Sequence, residues 1–138
     1  MKTLKSLKTP LRYPGGKSRS LGTKKNPKMG QYFPDLAGYT EFREPFLGGG
    51  SVAIHISKMY PLLKITVNDL YEPLINFWYN LQMFGTELYT DLKNLKIANC
   101  NQDSARCLFA EMKDVINDKS KTDLERAVAF YVVNKCSF

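Results

Sequence analysis

Residues 41–51 read EFREPFLGGGS, an alternating segment followed by three glycines and a serine. The alternation predicts a short strand that ends at Pro45, because proline cannot continue a hydrogen-bonded ladder. The glycines predict a sharp turn, and Ser51 is a suitable N-cap for a helix that Pro61 closes. The apolar residues expected on the buried face of this helix are Val52, Ile54, Ile56 and Met59.

The following segment, residues 62–67, reads LLKITV and predicts a second strand that ends at Asn68-Asp69. Strand, glycine turn, helix and strand form a βαβ unit, whose strands are parallel. Apolar residues then recur at helical spacing from Glu72 onward, and further helices are expected over residues 105–116 and 124–135. Their expected caps are Asp103 and Thr122-Asp123. The aromatic residues Phe77, Trp78, Tyr79 and Tyr89 are expected in the core.

The composition of the chain limits the class of protein to which it can belong. The chain has 138 residues, 43% of them apolar, which fits one small domain and excludes a disordered tail or a collagen-like repeat. It contains neither a membrane-length apolar run nor an apolar leader near its start, so we expect a soluble cytoplasmic protein with no membrane partner.

One histidine, His55, and three cysteines are too few for a zinc site or a disulfide framework. No metal is therefore expected, and Cys100, Cys107 and Cys136 are expected to be reduced and mostly buried.

Positive charge is concentrated at one end of the sequence. The net charge is +7, but residues 1–40 contain nine basic side chains and one acidic one, whereas the remaining 98 residues contain eleven and twelve. A basic arm beside a neutral body suits attraction to phosphate, since each neutralised phosphate releases counterions. A solvated basic tail without a partner is the alternative.

Two features of the βαβ unit predict a ligand site. Glycines between a strand and a helix allow close backbone approach to a ligand, although such a turn can also simply reverse the chain. Asp69 lies 21 residues after Gly48, where an acidic side chain accepts hydrogen bonds from ribose hydroxyls. It could equally cap a helix that begins near Glu72. Because the three consecutive glycines depart from GxGxxG, an adenosine ligand without a pyrophosphate is favoured.

A third segment, residues 11–18, reads LRYPGGKS and resembles the end of a phosphate-binding P-loop. That motif requires a glycine where this chain has Leu11, and it requires a preceding apolar strand. The P-loop interpretation therefore fails.

Four segments together resemble the Dam family of DNA adenine methyltransferases. They are LRYPGGK at 11–17, FREPFLGGGSV at 42–52, VNDL at 67–70 and ERAVAFYVVNK at 125–135, and the resemblance extends over residues 9–138. It implies a partial Rossmann-like, S-adenosylmethionine-dependent methyltransferase fold within the α/β class, followed by the helical start of a target-recognition region. The implied reaction moves a methyl group from S-adenosylmethionine to the exocyclic amine of adenine in duplex DNA, with the base flipped.

The resemblance also assigns site residues. Tyr13 stands where the family often has Trp, Lys17 is expected at the cofactor, and Asp69 matches the acid that holds the ribose. The glycine turn would form the floor beneath the cofactor. The full set of expected cofactor residues is Tyr13, Lys17, Pro45, Phe46, Gly48, Gly50 and Asp69. The expected DNA contacts are Arg12, Arg19, Lys24, Lys25, Asn134 and Lys135.

One departure from the family is clear: the sequence contains no Asp-Pro-Pro-Tyr motif and no Pro-Pro pair. We therefore expect a split or truncated amino-terminal half that is inactive alone and needs a second chain carrying the catalytic motif. Its expected parts are a basic arm with a cofactor turn (1–40), a βαβ cofactor unit (41–84) and a truncated helical region (85–138). The alternative is a non-enzymatic, basic DNA-binding module on a methyltransferase-like scaffold.

Overall fold

The structure is a computed structural model that describes residues 8–17, 21 and 34–136. The chain forms two compact units, residues 1–70 and residues 71–138. Its elements are β1 (Glu41–Glu44), α1 (Ser51–Met59), β2 (Lys64–Val67), α2 (Glu72–Met83), α3 (Gly85–Ala98), α4 (Gln102–Val115) and α5 (Asp123–Cys136). The three-part functional division expected from sequence remains a prediction.

The first unit contains the expected βαβ arrangement. Strands β1 and β2 are parallel, with Glu41 opposite Lys64 and Glu44 opposite Val67, and α1 connects them. This confirms the α/β class. The core combines Val52 and Ile56 from α1 with Leu21 and Leu36 from the preceding segment. Part of the segment predicted to be a basic arm, residues 1–40, therefore belongs to the core.

Helix α1 begins differently from the sequence prediction. Its N-cap is Gly50, in a left-handed conformation with φ of 69°, and Ser51 is the first helical residue, so the predicted Ser51 cap is wrong. Because glycine has no side chain to cap the helix, Glu44 Oε2 accepts the Ala53 N–H instead, at 3.0 Å. Val52 and Ile56 are buried as expected, but Met59 at the last turn is exposed.

The second unit is built around α5, which packs against α2, α3 and α4. Its Ala127 and Ala129 are fully buried, and such small side chains allow close helix approach. Thr122 and Glu125 form the expected capping box, with Glu125 N–H donating to Thr122 Oγ1 and Thr122 N–H donating to Glu125 Oε2. Helix α4, however, is capped by Asn101, whose side chain accepts the Ser104 N–H, so the predicted Asp103 cap is wrong.

Two expectations about the core also fail. Phe77 is buried and stacks on Tyr131, but Tyr79 and Tyr89 are 56% and 66% exposed. Tyr79 follows Phe77 by two positions, which on a helix turns its side chain to the opposite face. Cys100 and Cys107 are exposed and Cys136 is half-buried. Cys107 lies five positions before Met112, the buried residue of α4, and this spacing places it on a different face.

Within the described part of the chain, no helix is long and apolar enough to cross a membrane. The same residues contain no cluster of three or more His, Cys, Asp or Glu side chains that could hold a metal ion.

Candidate functional site

A pocket of about 270 Å³ lies in the first unit, at the carboxyl ends of β1 and β2. In a parallel sheet this edge is where ligands bind. Two turns form its walls, one at residues 13–16 and the other at residues 47–50. The lining residues are Tyr13, Pro14, Gly15, Gly16, Lys17, Glu44, Phe46, Leu47, Gly48, Gly49, Ser51, Val52 and Asp69.

The first wall is a β-turn from Tyr13 to Gly16. Gly16 N–H donates to Tyr13 O at 3.0 Å, and Gly15 has φ of 72°. Proline at the second position and a left-handed glycine at the third are the signature of a type II turn. Lys17 follows directly, so this local sequence brings an aromatic ring and a cation to the same pocket.

The second wall is the glycine turn, which lies directly against Tyr13. A Cβ atom on Gly48 would lie 2.9 Å from Tyr13 Cε1, and one on Gly49 would lie 2.9 Å from Tyr13 Cβ. Both distances are shorter than real side-chain contacts, so only glycine permits this approach. Gly48 also has φ of 50°, a conformation that glycine adopts without strain. These glycines therefore do more than reverse the chain, since they allow two pocket walls to meet.

Asp69 supports the glycine turn from the second strand. Its Oδ2 accepts the Gly48 N–H at 2.9 Å, and the neighbouring Asn68 O accepts the Leu47 N–H at 2.9 Å. The alternative role, capping α2, is not observed, because the N-cap of that helix is Tyr71 and no side chain caps it. Asp69 Oδ2 therefore holds the turn at the edge of the pocket that this residue lines.

Glu44 is a pocket residue that sequence reasoning missed. It ends β1, and its carboxylate reaches the first turn of α1, where it accepts the Ala53 N–H. Burial raises the pKa of Glu44, while the Ala53 hydrogen bond and the charge of Lys17 oppose the rise. An acid at the last strand position before a glycine turn was the available signal, since the carboxyl end of that strand faces the site.

Ser51 is a second missed residue. Its Oγ is buried and has no hydrogen-bond partner among the described residues, although it lines the pocket. An unsatisfied buried polar atom costs about 1–3 kcal/mol. A polar ligand group in the pocket would remove that cost.

The predicted cofactor residues thus divide into two sets. Tyr13, Lys17, Phe46, Gly48 and Asp69 line the pocket, with the Phe46 side chain 82% exposed at its rim. Pro45 and Gly50 do not line it. Pro45 is exposed between β1 and the turn, and Gly50 is the buried cap of α1.

The predicted DNA contacts are spread over both units. Arg12 is exposed beside Tyr13 in the first unit, whereas Asn134 and Lys135 are half-buried on α5 in the second. Lys135 Nζ lies 5.4 Å from the centre of the Tyr131 ring. Arg19, Lys24 and Lys25 lie outside the described residues.

Comparison with protein families places this site in context. Residues 13–138 match the family model of the D12 class N6 adenine-specific DNA methyltransferases. The chain belongs to this family. The match covers nearly the whole sequence and confirms the resemblance seen in the four short motifs. It includes every residue that lines the pocket. A search of curated proteins finds no match.

Proposed function

We propose that the first unit binds S-adenosylmethionine in this pocket, as part of an enzyme that methylates the exocyclic amine of adenine in duplex DNA. The observation that carries the proposal is the pairing of Asp69 with the Gly48 N–H at the carboxyl edge of the parallel strands. This arrangement holds an acidic acceptor beside a close-approach glycine turn, in a chain of an adenine methyltransferase family. The βαβ unit is then one part of a Rossmann-like methyltransferase fold.

The residues of the pocket fit the polar groups of this donor. Asp69 suits the ribose hydroxyls, Lys17 the amino-acid carboxylate, and Glu44 the ammonium group. The buried Ser51 Oγ gains a polar partner in the same region. Tyr13 and the exposed ring of Phe46 offer aromatic faces to the sulfonium and the adenine, respectively. When bound, the donor supplies an electrophilic methyl group on a sulfonium sulfur.

The size of the pocket suggests that further walls come from elsewhere. Small-molecule sites typically measure about 300–1,000 Å³, and this pocket of about 270 Å³ has exposed side chains at its rim, including Tyr13, Lys17 and Phe46. Among the described residues, β1 pairs with β2 alone, so its other edge can accept an additional strand. The sequence has no Asp-Pro-Pro-Tyr motif. We therefore assign the catalytic acid to a segment outside these 138 residues and expect these residues alone to be inactive.

The proposed DNA contacts rest on charge and on the family. Phosphate binding by Arg12, Arg19, Lys24 and Lys25 follows from the basic excess of residues 1–40. Asn134 and Lys135 end the fourth motif shared with the family. These residues would position the duplex rather than transfer the methyl group.

Calorimetric titration with S-adenosylmethionine tests the donor site. We expect saturable binding by the full chain and its loss in Asp69→Ala. Asp69→Asn is the sharper variant, because an amide oxygen still accepts the Gly48 N–H but carries no charge. It should preserve the turn and weaken binding at least about tenfold, since charge-assisted hydrogen bonds are roughly twice as strong as neutral ones. Asp103→Asn, at an exposed site in the second unit, is the matched control.

Three results would each contradict a part of the proposal. Equal binding by the wild type and Asp69→Ala would place the donor elsewhere. Duplex binding without any donor binding would favour the alternative of a non-enzymatic DNA-binding module. Methylation of DNA by these 138 residues alone would leave the donor site intact but would overturn the assignment of the catalytic acid to a segment outside them.

A further inference from the structure

A second cavity, unrelated to the donor pocket, lies within the helical unit. Helices α3 and α4 each pack against α5 and leave between them a groove of about 560 Å³. We call this the α3–α5 groove. It is lined by Tyr89, Leu92, Lys93, Leu95, Lys96, Asn99, Ala105, Leu108, Tyr131, Val132, Lys135 and Cys136.

The groove combines an apolar floor with a basic rim. Leucines from α3 and α4 and Val132 from α5 supply the floor. Lys93, Lys96 and Lys135 are the charged residues among those that line it, and none of the described carboxylates does so. This clustering is local, because residues 71–138 contain eight basic and nine acidic side chains. Asp91, also on α3, lines a different pocket together with Glu111 and Glu125.

We propose that the α3–α5 groove docks an acidic amphipathic helix of a partner chain. Such a helix would place apolar residues at i, i+3, i+4 and i+7 on the floor and direct carboxylates to Lys93 and Lys96. Among the described residues, neither Lys93 nor Lys96 has an acidic partner within salt-bridge distance, so both cations remain available to an incoming carboxylate.

Two other occupants fit less well. A nucleic-acid backbone is bound through its phosphates and gains nothing from an apolar floor. The segments of this chain outside the described residues and ahead of β1, residues 1–7, 18–20 and 22–33, contain six basic residues and no acidic residue. The lysines of the rim would therefore repel them. Charge complementarity thus selects an acidic partner.

The test uses a labelled synthetic peptide of about 20 residues, long enough to form a helix when rich in alanine, with leucines at the four spaced positions, glutamates at the positions that flank them and alanines elsewhere. We expect fluorescence anisotropy to show binding to the full chain. The double variant Lys93→Glu/Lys96→Glu should weaken it by at least about tenfold, because reversed charges face the peptide. Lys113→Glu, on α4 and outside the groove lining, is the matched control and should leave binding unchanged.

Alkylation of cysteines supplies a readout that does not depend on a variant. Cys136 lines the groove, whereas Cys107 is exposed and does not line it. Bound peptide should slow the modification of Cys136 and leave that of Cys107 unchanged. Equal binding of a peptide with lysine in place of glutamate, or equal protection of both cysteines, would overturn the proposal. Displacement of the peptide by duplex DNA, abolished in the double variant, would assign the groove to nucleic acid instead.

Discussion

The Tyr13 side chain lies close to Gly49, and this close approach joins the two turns of the proposed donor pocket. A Cβ atom on Gly49 would meet Tyr13 Cβ at 2.9 Å, a backbone-proximal atom that cannot swing away. Gly49→Ala should therefore separate the turns, at a cost of about 1–3 kcal/mol in the free energy of unfolding. Donor affinity should fall at least about tenfold in the same variant. Urea unfolding and calorimetry measure the two effects.

Gly38→Ala is the control for this substitution. A Cβ atom on Gly38 would meet nothing within 4 Å, and its φ is not positive. Its donor affinity should match that of the wild type, and its free energy of unfolding should be equal or slightly higher. A wild-type affinity in Gly49→Ala would show that the Tyr13 contact is not required for the site.

Glu44 should make the free energy of unfolding depend on pH in the direction opposite to that of Glu41 and Glu72, whose pKa values are lowered. Burial raises the pKa of Glu44 above its ordinary value of 4.5. Between pH 4.5 and the raised pKa, the folded state therefore binds more protons than the unfolded state. Its contribution to stability is then fully present below pH 4.5 and is lost as the pH rises through the raised pKa. Glu44→Gln should remove this decline while keeping an acceptor for the Ala53 N–H. Urea unfolding of the wild type and Glu44→Gln from about pH 4 to neutrality measures this decline in stability.

Glu41→Gln provides the contrast on the same strand. Hydrogen bonds from Arg43 and Thr66 lower the pKa of Glu41 to about 2, so its contribution is lost only as the pH falls below the ordinary value. Glu41→Gln should change how stability depends on pH below 4.5 and leave the dependence above pH 4.5 unchanged. If Glu44→Gln retained the full decline toward neutral pH, another group would have to cause it.

At the scale of elements, periodicity predicted helices and strands well and their ends poorly. The strand at residues 41–44 and the helix that follows were visible in the alternation and the glycine turn. The cap of α1 was not, because it depends on Glu44 reaching across the turn to Ala53, a contact between different elements. The cap of α4 was misjudged by two residues for a simpler reason, since Asn101 and Asp103 are both good caps and sequence does not rank them.

Arg126 secures α5 to the rest of the helical unit. Its side chain is 4% exposed and donates to Glu72 Oε2 at 2.6 Å, Asp123 Oδ1 at 3.2 Å and Ile116 O at 3.1 Å. Arg126→Met should lower the free energy of unfolding by about 3 kcal/mol, because the variant removes a network of charged hydrogen bonds and leaves a carbonyl without its partner. Denaturant unfolding gives the value.

Arg106→Met is the matched control for Arg126. Arg106 is 70% exposed on α4 and lies 3.8 Å from Asp103, so its pair should contribute at most about 0.5 kcal/mol.

The pKa of Glu72 gives a second, independent test of the role of Arg126. Burial raises it, but the hydrogen bond and charge of Arg126, with Lys119, lower it overall. The wild type should therefore lose stability as the pH falls below 4.5, and Arg126→Met should lose less. Similar losses in Arg126→Met and Arg106→Met would contradict this role.

For the whole molecule, the sequence predicted part of the lining of the pocket in the first unit but not all of it. The spacing of the glycine turn and the strand end predicted Gly48 and Asp69, and the family resemblance added Tyr13. Glu44 and Ser51 were missed because their significance lies in burial and hydrogen bonding, which a linear pattern does not carry. The basic excess of residues 1–40 gave no sign that Leu11, Leu21 and Leu36 would be buried. Deleting residues 1–40 would thus remove part of the core together with the charge.

The contribution of the arm to DNA binding is therefore best tested by neutralisation rather than deletion. The variant Lys24→Gln/Lys25→Gln/Lys28→Gln removes three charges from the segment that holds the basic excess. Its duplex affinity should fall, and the slope of log affinity against log salt should shrink by about 0.9 for each phosphate that is no longer neutralised. Lys113→Gln/Lys119→Gln/Lys121→Gln lowers the net charge by the same amount in the second unit and should leave the slope nearly unchanged. Equal effects of the two triple variants would mean that overall charge, rather than the arm, attracts the duplex.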